Sequence, residues 1–140
     1  EHRKSLNQSF DYLCIGIQPL ANTQSLFETA NELNVKMIFA DQINQLEYCK
    51  KMIDGFIKDQ DIIYLTLCLD VFNQSVAPGV SAPQPLGIMP SDLLPLMIHI
   101  INAKKVVSFD IAELSPPHDI NNMTANLAAQ LAANFLSHQS

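Results

Sequence analysis

Cys68 and Asp70 stand two residues apart at the end of an apolar run, in Ile-Ile-Tyr-Leu-Thr-Leu-Cys-Leu-Asp, just before a loop rich in Pro, Ser and Gly. Side chains alternate along a strand, so residues two apart leave the same face, and a thiol beside a carboxylate at a strand's end is a geometry that suits a metal ion. Further acidic groups follow downstream, where Asp110 and Glu113 lie in Ser-Phe-Asp-Ile-Ala-Glu-Leu-Ser-Pro-Pro and His118 comes next. Each has a plainer alternative. Cys68 can be a small buried apolar side chain, Asp70 a loop-opening residue that accepts backbone amides, and Glu113 a solvent-facing residue before a turn. Asp110 reads as a strand-end hydrogen bonder and His118 as a solvated loop histidine. His99 reads as a helix histidine with a polar partner, His2 and His138 as inert, and Cys14 and Cys49 as core. Phosphate-loop and dinucleotide spacings are absent, as is a Gly-x-Ser-x-Gly elbow.

Short apolar runs alternate with amphipathic stretches, and this order positions those residues. Strands are expected at 12–17, 35–40, 62–69 and 105–109. Between them, Leu26, Phe27, Ala30 and Leu33 repeat at helical spacing, capped by Asn22 or Thr23 and stopped near Asn34. Asp41 can cap a longer helix with the stripe Ile43, Leu46, Cys49, Ile53, Phe56 and Ile57, weakened by Gly55. Ser91 or Asp92 starts a third helix, and Asn121 or Asn122 caps a fourth with Leu127, Leu131 and Phe135 inward. Strict alternation of this kind is the pattern of an α/β fold, a three-layer α/β/α arrangement around a mainly parallel sheet. Residues 70–89 carry neither period and contain Pro78, Pro83, Pro85 and two glycines, so they read as a functional loop. In an open parallel sheet the ligand site lies beyond the carboxyl ends of the strands, where Asp70 and residues 110–113 are expected.

With 140 residues, 48% hydrophobic and 16% charged, the chain reads as one globular domain that buries a core. A net charge of -6 argues against nucleic acid and anionic membranes, leaving a small molecule or another chain as the expected partner. Three widely spaced cysteines do not make a disulfide framework and point to a reducing cytoplasm. No apolar stretch approaches the ~20 residues of a membrane span, and the first residues lack the apolar core of a signal peptide.

The motifs resemble those of the arginase (ureohydrolase) family, in which a strand ends in Asp-x-Asp and runs on toward Pro-Gly. Here Tyr64, Leu65 and Thr66 lead in, Cys68 and Asp70 take the two Asp positions, and Ala77-Pro78-Gly79 closes the motif. Downstream, Asp110 to Pro116, then Asp119-Ile120-Asn121-Asn122 and Thr124-Ala125, is similar to the family's Asp-x-x-Glu-x-Asn-Pro segment and the opening of its last helix. The spellings Cys-Leu-Asp and Ala-Pro-Gly-Val-Ser-Ala-Pro look most like the formimidoylglutamase branch. The resemblance implies an arginase-like fold, a pair of manganese ions that activate water, Cys68 and Asp70 as metal ligands, and Glu113 as the residue that holds the cationic end of the substrate. It also implies two further motifs, Gly-Gly-x-His and Asp-Ala-His-x-Asp, which this sequence lacks. Residues 1–140 are therefore expected to be the C-terminal part of a hydrolase of N-formimidoyl-L-glutamate, metal-free or weakly binding and inactive alone. Two alternatives stand beside it. One is another ureohydrolase acting on arginine, agmatine or guanidinobutyrate; the other is a non-catalytic α/β module that pairs with itself or another chain through an exposed sheet edge.

Overall fold

The structure is a computed structural model and describes residues 10–139; His2 lies outside them. β1 (Leu13–Ile17), β2 (Lys36–Phe39), β3 (Ile63–Cys68) and β4 (Val106–Ala112) alternate with α1 (Gln24–Glu32), α2 (Leu46–Ile57), α3 (Pro90–Asn102) and α4 (Met123–Gln139). The strands form two parallel pairs, β1 with β2 and β3 with β4. Period two decides which face each strand turns to which layer. Ile38 and Lys36 face α2, where the Lys36 ammonium lies 5.6 Å from the Phe56 ring centre. Phe39 faces the other way and meets Phe27 of α1 at 6.3 Å between ring centres. Thus α1 lies on one side and α2, α3 and α4, packed in that order, on the other.

The core sits between the strands and the α2–α4 layer. Ile38, Ile53, Leu69, Phe72, Leu96 and Ile101 are fully buried there, and Phe109 stacks on Phe135 of α4 at 4.2 Å. The opposite face of β3 and β4 is bare: Tyr64, Thr66 and Ser108 are exposed. None of the described helices is long and apolar enough to cross a membrane.

Several boundaries differ from the sequence expectation for identifiable reasons. Asp41 does not cap α2. Residues Ala40–Gln42 form a 3-10 turn instead, closed by the Phe39 amide donating to the Gln42 side chain at 2.9 Å, and α2 begins at Leu46. β3 stops at Cys68, and Leu69–Val71 is a 3-10 turn, so strand alternation does not set the direction of Asp70. β4 runs to Ala112 and takes Asp110 into the strand rather than beyond it. Pro90 occupies the first turn of α3, ahead of Ser91 and Asp92.

Asn122 stands at the N-cap position of α4, its carbonyl accepting the Asn126 amide at 2.9 Å, and both it and Asn121 have left-handed backbones, φ 58° and 51°, but the side chain that caps the helix is a different one. The side-chain cap is the Asp119 carboxylate, which accepts the amides of Thr124 and Ala125 at 3.0 Å each and of Ile120 at 2.9 Å. Desolvation pushes this carboxyl up, but the Thr124 and Ala125 amides, the Thr124 hydroxyl and the Ile120 amide outweigh it, so Asp119 titrates below the ordinary carboxylate range. A depressed folded-state pKa gives stability that is present above the unfolded value of about 3.9 and lost as pH falls through the lower folded one. Asp119→Asn keeps an acceptor but cannot titrate. Between about pH 5 and pH 2, urea midpoints are therefore expected to fall more steeply for the wild type than for the variant; parallel curves would contradict this cap.

Candidate functional site

The carboxyl ends of β3 and β4 carry the candidate residues. Cys68 is the last residue of β3 and is exposed, which removes the reading of it as a small buried side chain. Asp70 sits half-buried in the turn that follows, and Glu113 comes directly after β4 on a left-handed backbone, φ 70°. The three lie within electrostatic reach of one another. Desolvation, then Asp70, Glu113 and Cys14, push the Cys68 thiol up, and desolvation followed by Glu113 raises Asp70. A rim of mutually repelling acids favours a cation, whether a metal ion or an amidinium group.

The loop of residues 70–89 is tied down rather than free. Asn73 donates its amide to Ile88 at 2.9 Å, Ile88 returns one to Val71 at 3.0 Å, and Phe72, Ala77 and Val80 are buried. Its Ala77-Pro78-Gly79 segment docks on the start of α4, where the Gly79 amide donates to the buried Thr124 hydroxyl at 2.7 Å. Gly79 has no room for a side chain, since a Cβ would lie 2.8 Å from the Asp119 Cα. Thr124 and Asp119 were present in the matched sequence, but no period marked them as anchors of this loop.

Asp110 does not join the rim. Paired opposite Thr66 in the sheet, it accepts the Thr66 hydroxyl at 2.6 Å and the Tyr64 hydroxyl, the hydrogen-bonding part expected of it, though within the strand. His118 bonds Ser115 at 2.7 Å between ring nitrogen and hydroxyl, and His99 meets Asp54 across α3 and α2 at 2.7 Å. Cys49 is fully buried and Cys14 partly so. An open cleft of about 740 Å³ borders the outer side of the loop, lined by Asn73, Gln74, Ser75, Ser81, His118 and Ile120 among others. It adjoins Glu113 through Ser81, whose hydroxyl donates to Glu113 Oε2 at 3.3 Å.

The residues present do not make a manganese site by themselves. Manganese takes a shell of about six mainly oxygen donors, whereas this rim offers two carboxylates, Asp70 and Glu113, and the softer sulfur of Cys68. Among the described residues no three His, Cys, Asp or Glu side chains are grouped so as to hold a metal.

Known proteins supply the context for this geometry. The arginase family profile matches residues 2–137. The formimidoylglutamase of Legionella pneumophila (strain Paris) is 50% identical over 91% of this chain and 40% of its own length. Among solved structures, the formimidoylglutamase of Bacillus subtilis superposes with a TM-score of 0.84 at 27% identity, covering 90% of this chain and 40% of that one. The agmatine ureohydrolase of Thermoplasma volcanium gives 0.78 at 26% identity, covering 99% and 46%. The chain thus spans about 40% of the length of the curated relatives it matches. A three-layer α/β/α arrangement with the strand-end acids and Ala-Pro-Gly loop on one rim, matched over nearly its whole length, makes this chain a member of the arginase family.

Proposed function

We propose that these residues form one rim of a hydrolytic centre that cleaves N-formimidoyl-L-glutamate to L-glutamate and formamide in the cytoplasm. The observation that carries the reading is the convergence of Cys68, Asp70 and Glu113 at the ends of β3 and β4, in a chain half identical to a formimidoylglutamase. The balance of the reaction is simple. Water adds its oxygen to the formimino carbon, the bond from that carbon to the glutamate nitrogen breaks, and the nitrogen leaves protonated as the amine. Glu113 would pair with the amidinium and orient the electrophilic carbon, a task that needs only a fixed negative charge. Manganese is the ion this reading implies; Cys68 and Asp70 would be the residues here that contribute to holding it, and the ion would supply an activated water.

The test is metal content and formamide release, measured on residues 1–140 alone and on the intact protein, with arginine, agmatine and guanidinobutyrate assayed in parallel. The expected result is less than one equivalent of manganese and no turnover for the 140 residues, against bound manganese and formamide release by the intact protein. Stoichiometric manganese and turnover by the short chain would contradict the shared-centre reading. Preference of the intact protein for a guanidino substrate would move the assignment to another ureohydrolase.

A further inference from the structure

We propose that Ser81 is a positioning residue for Glu113, and that the Ala77-Pro78-Gly79-Val80-Ser81 segment is the bracket that aims this carboxylate at the cationic end of the substrate. The inference rests on the amidine-hydrolase reading above. Glu113 leaves β4 at φ 70°, a conformation uncommon for a side-chain-bearing residue that persists only where its surroundings impose it. Two bonds from one segment do so. The Ser115 amide donates to the Gly79 carbonyl at 2.8 Å, fixing the chain just past Glu113, and the Ser81 hydroxyl donates to Glu113 Oε2 at 3.3 Å.

The bracket is itself immobilised. Ala77 and Val80 are buried, at 0% and 2% exposure, and the Gly79 amide is held by the buried Thr124 hydroxyl at 2.7 Å. Ser81 thereby follows directly on a buried, hydrogen-bonded segment, while its own side chain stays exposed. Among the described residues no other side chain bonds the Glu113 carboxylate, so removing the hydroxyl leaves this charge free to rotate. One oxygen is occupied by Ser81, and the other, Oε1, is left to accept an amidinium N–H. An exposed hydroxyl of this kind adds little to folding but much to the direction of the group it touches.

The test compares wild type, Ser81→Ala and Ser81→Thr in the intact protein, with N-formimidoyl-L-glutamate as substrate and N-formyl-L-glutamate, its neutral carbonyl counterpart, as competitive inhibitor. For Ser81→Ala the expected result is a KM raised about 3- to 10-fold with kcat within about twofold, as befits a weakened contact to a charged group. The inhibition constant of the neutral compound and the thermal midpoint stay unchanged, and Ser81→Thr restores KM. An unchanged KM in Ser81→Ala, or equal weakening of the neutral inhibitor, overturns the positioning role. Absence of wild-type turnover instead overturns the amidine-hydrolase reading, and this proposal with it.

Discussion

Glu113→Gln is expected to lower kcat/KM for N-formimidoyl-L-glutamate in the intact protein by about two orders of magnitude. A carboxylate and an amidinium about 4 Å apart gain roughly 4 kcal/mol at an effective dielectric of about 20, which would correspond to almost a thousandfold. Glu113 is exposed in this chain, so solvent screening lowers that figure, and about a hundredfold is the better expectation. Glutamine keeps the length and shape of the side chain and can still accept the Ser81 hydroxyl, so only the charge changes. The fold is expected to survive, because Gln is no worse than Glu on the left-handed backbone at this position. On the proposed reading, in which Cys68 and Asp70 help hold the metal and Glu113 does not, manganese content of the intact protein is expected to be unaltered. Steady-state kinetics with metal analysis decide the matter: turnover within about fivefold of wild type, with the metal in place, would remove Glu113 from the substrate's cationic end.

The elements of this fold were legible because their physics is periodic. Continuous apolar runs marked the four strands, and Asn34 ends α1 as a left-handed residue, φ 54°, where the sequence suggested a stop. The arginase-like motifs placed Cys68, Asp70 and Glu113 near one another in advance. What could not be read is whatever depends on a partner distant in sequence. β4 extends through Asp110 because Thr66 and Tyr64, 44 and 46 residues away, satisfy that carboxylate inside the sheet; in isolation an Asp argues against a strand. Asn122 stands at the N-cap position of α4, but Asp119 supplies the side-chain acceptor, since the chain reaches the helix through two left-handed residues that carry the carboxylate back over its first amides. The positive φ of Glu113 and its bond to Ser81 leave no trace in composition or spacing. They arise from a loop 32 residues upstream folding back across the rim, and only coordinates reveal them.

That fold-back leads to the largest expected loss of stability, at Gly87. Gly87 lies between the two places where the loop is laced to itself, the Phe72–Ile88 and Asn73–Gln84 bridges. A Cβ there would stand 2.3 Å from both the carbonyl carbon and oxygen of Phe72 and 2.5 Å from the Asn73 nitrogen. All three are backbone atoms of a segment anchored by the fully buried Phe72 ring, so no side chain can rotate away to make space. Relief requires parting the bridges or lifting Phe72 out of the core. Gly87→Ala is therefore expected to cost about 3 kcal/mol, at the upper end of overpacking penalties. Gly55 supplies the contrast within one molecule. It is exposed in α2, a Cβ there meets nothing within 4 Å, and Gly55→Ala is expected to raise stability by roughly 0.5–1 kcal/mol through reduced unfolded-chain entropy. Urea unfolding at constant m-value measures both. A midpoint for Gly87→Ala equal to wild type would mean that the loop yields easily and does not hold a fixed shape. In that case the bracket on Glu113, built from the same loop, would have no rigid base, so the stability of Gly87→Ala bears directly on how firmly Glu113 is aimed in the proposed site.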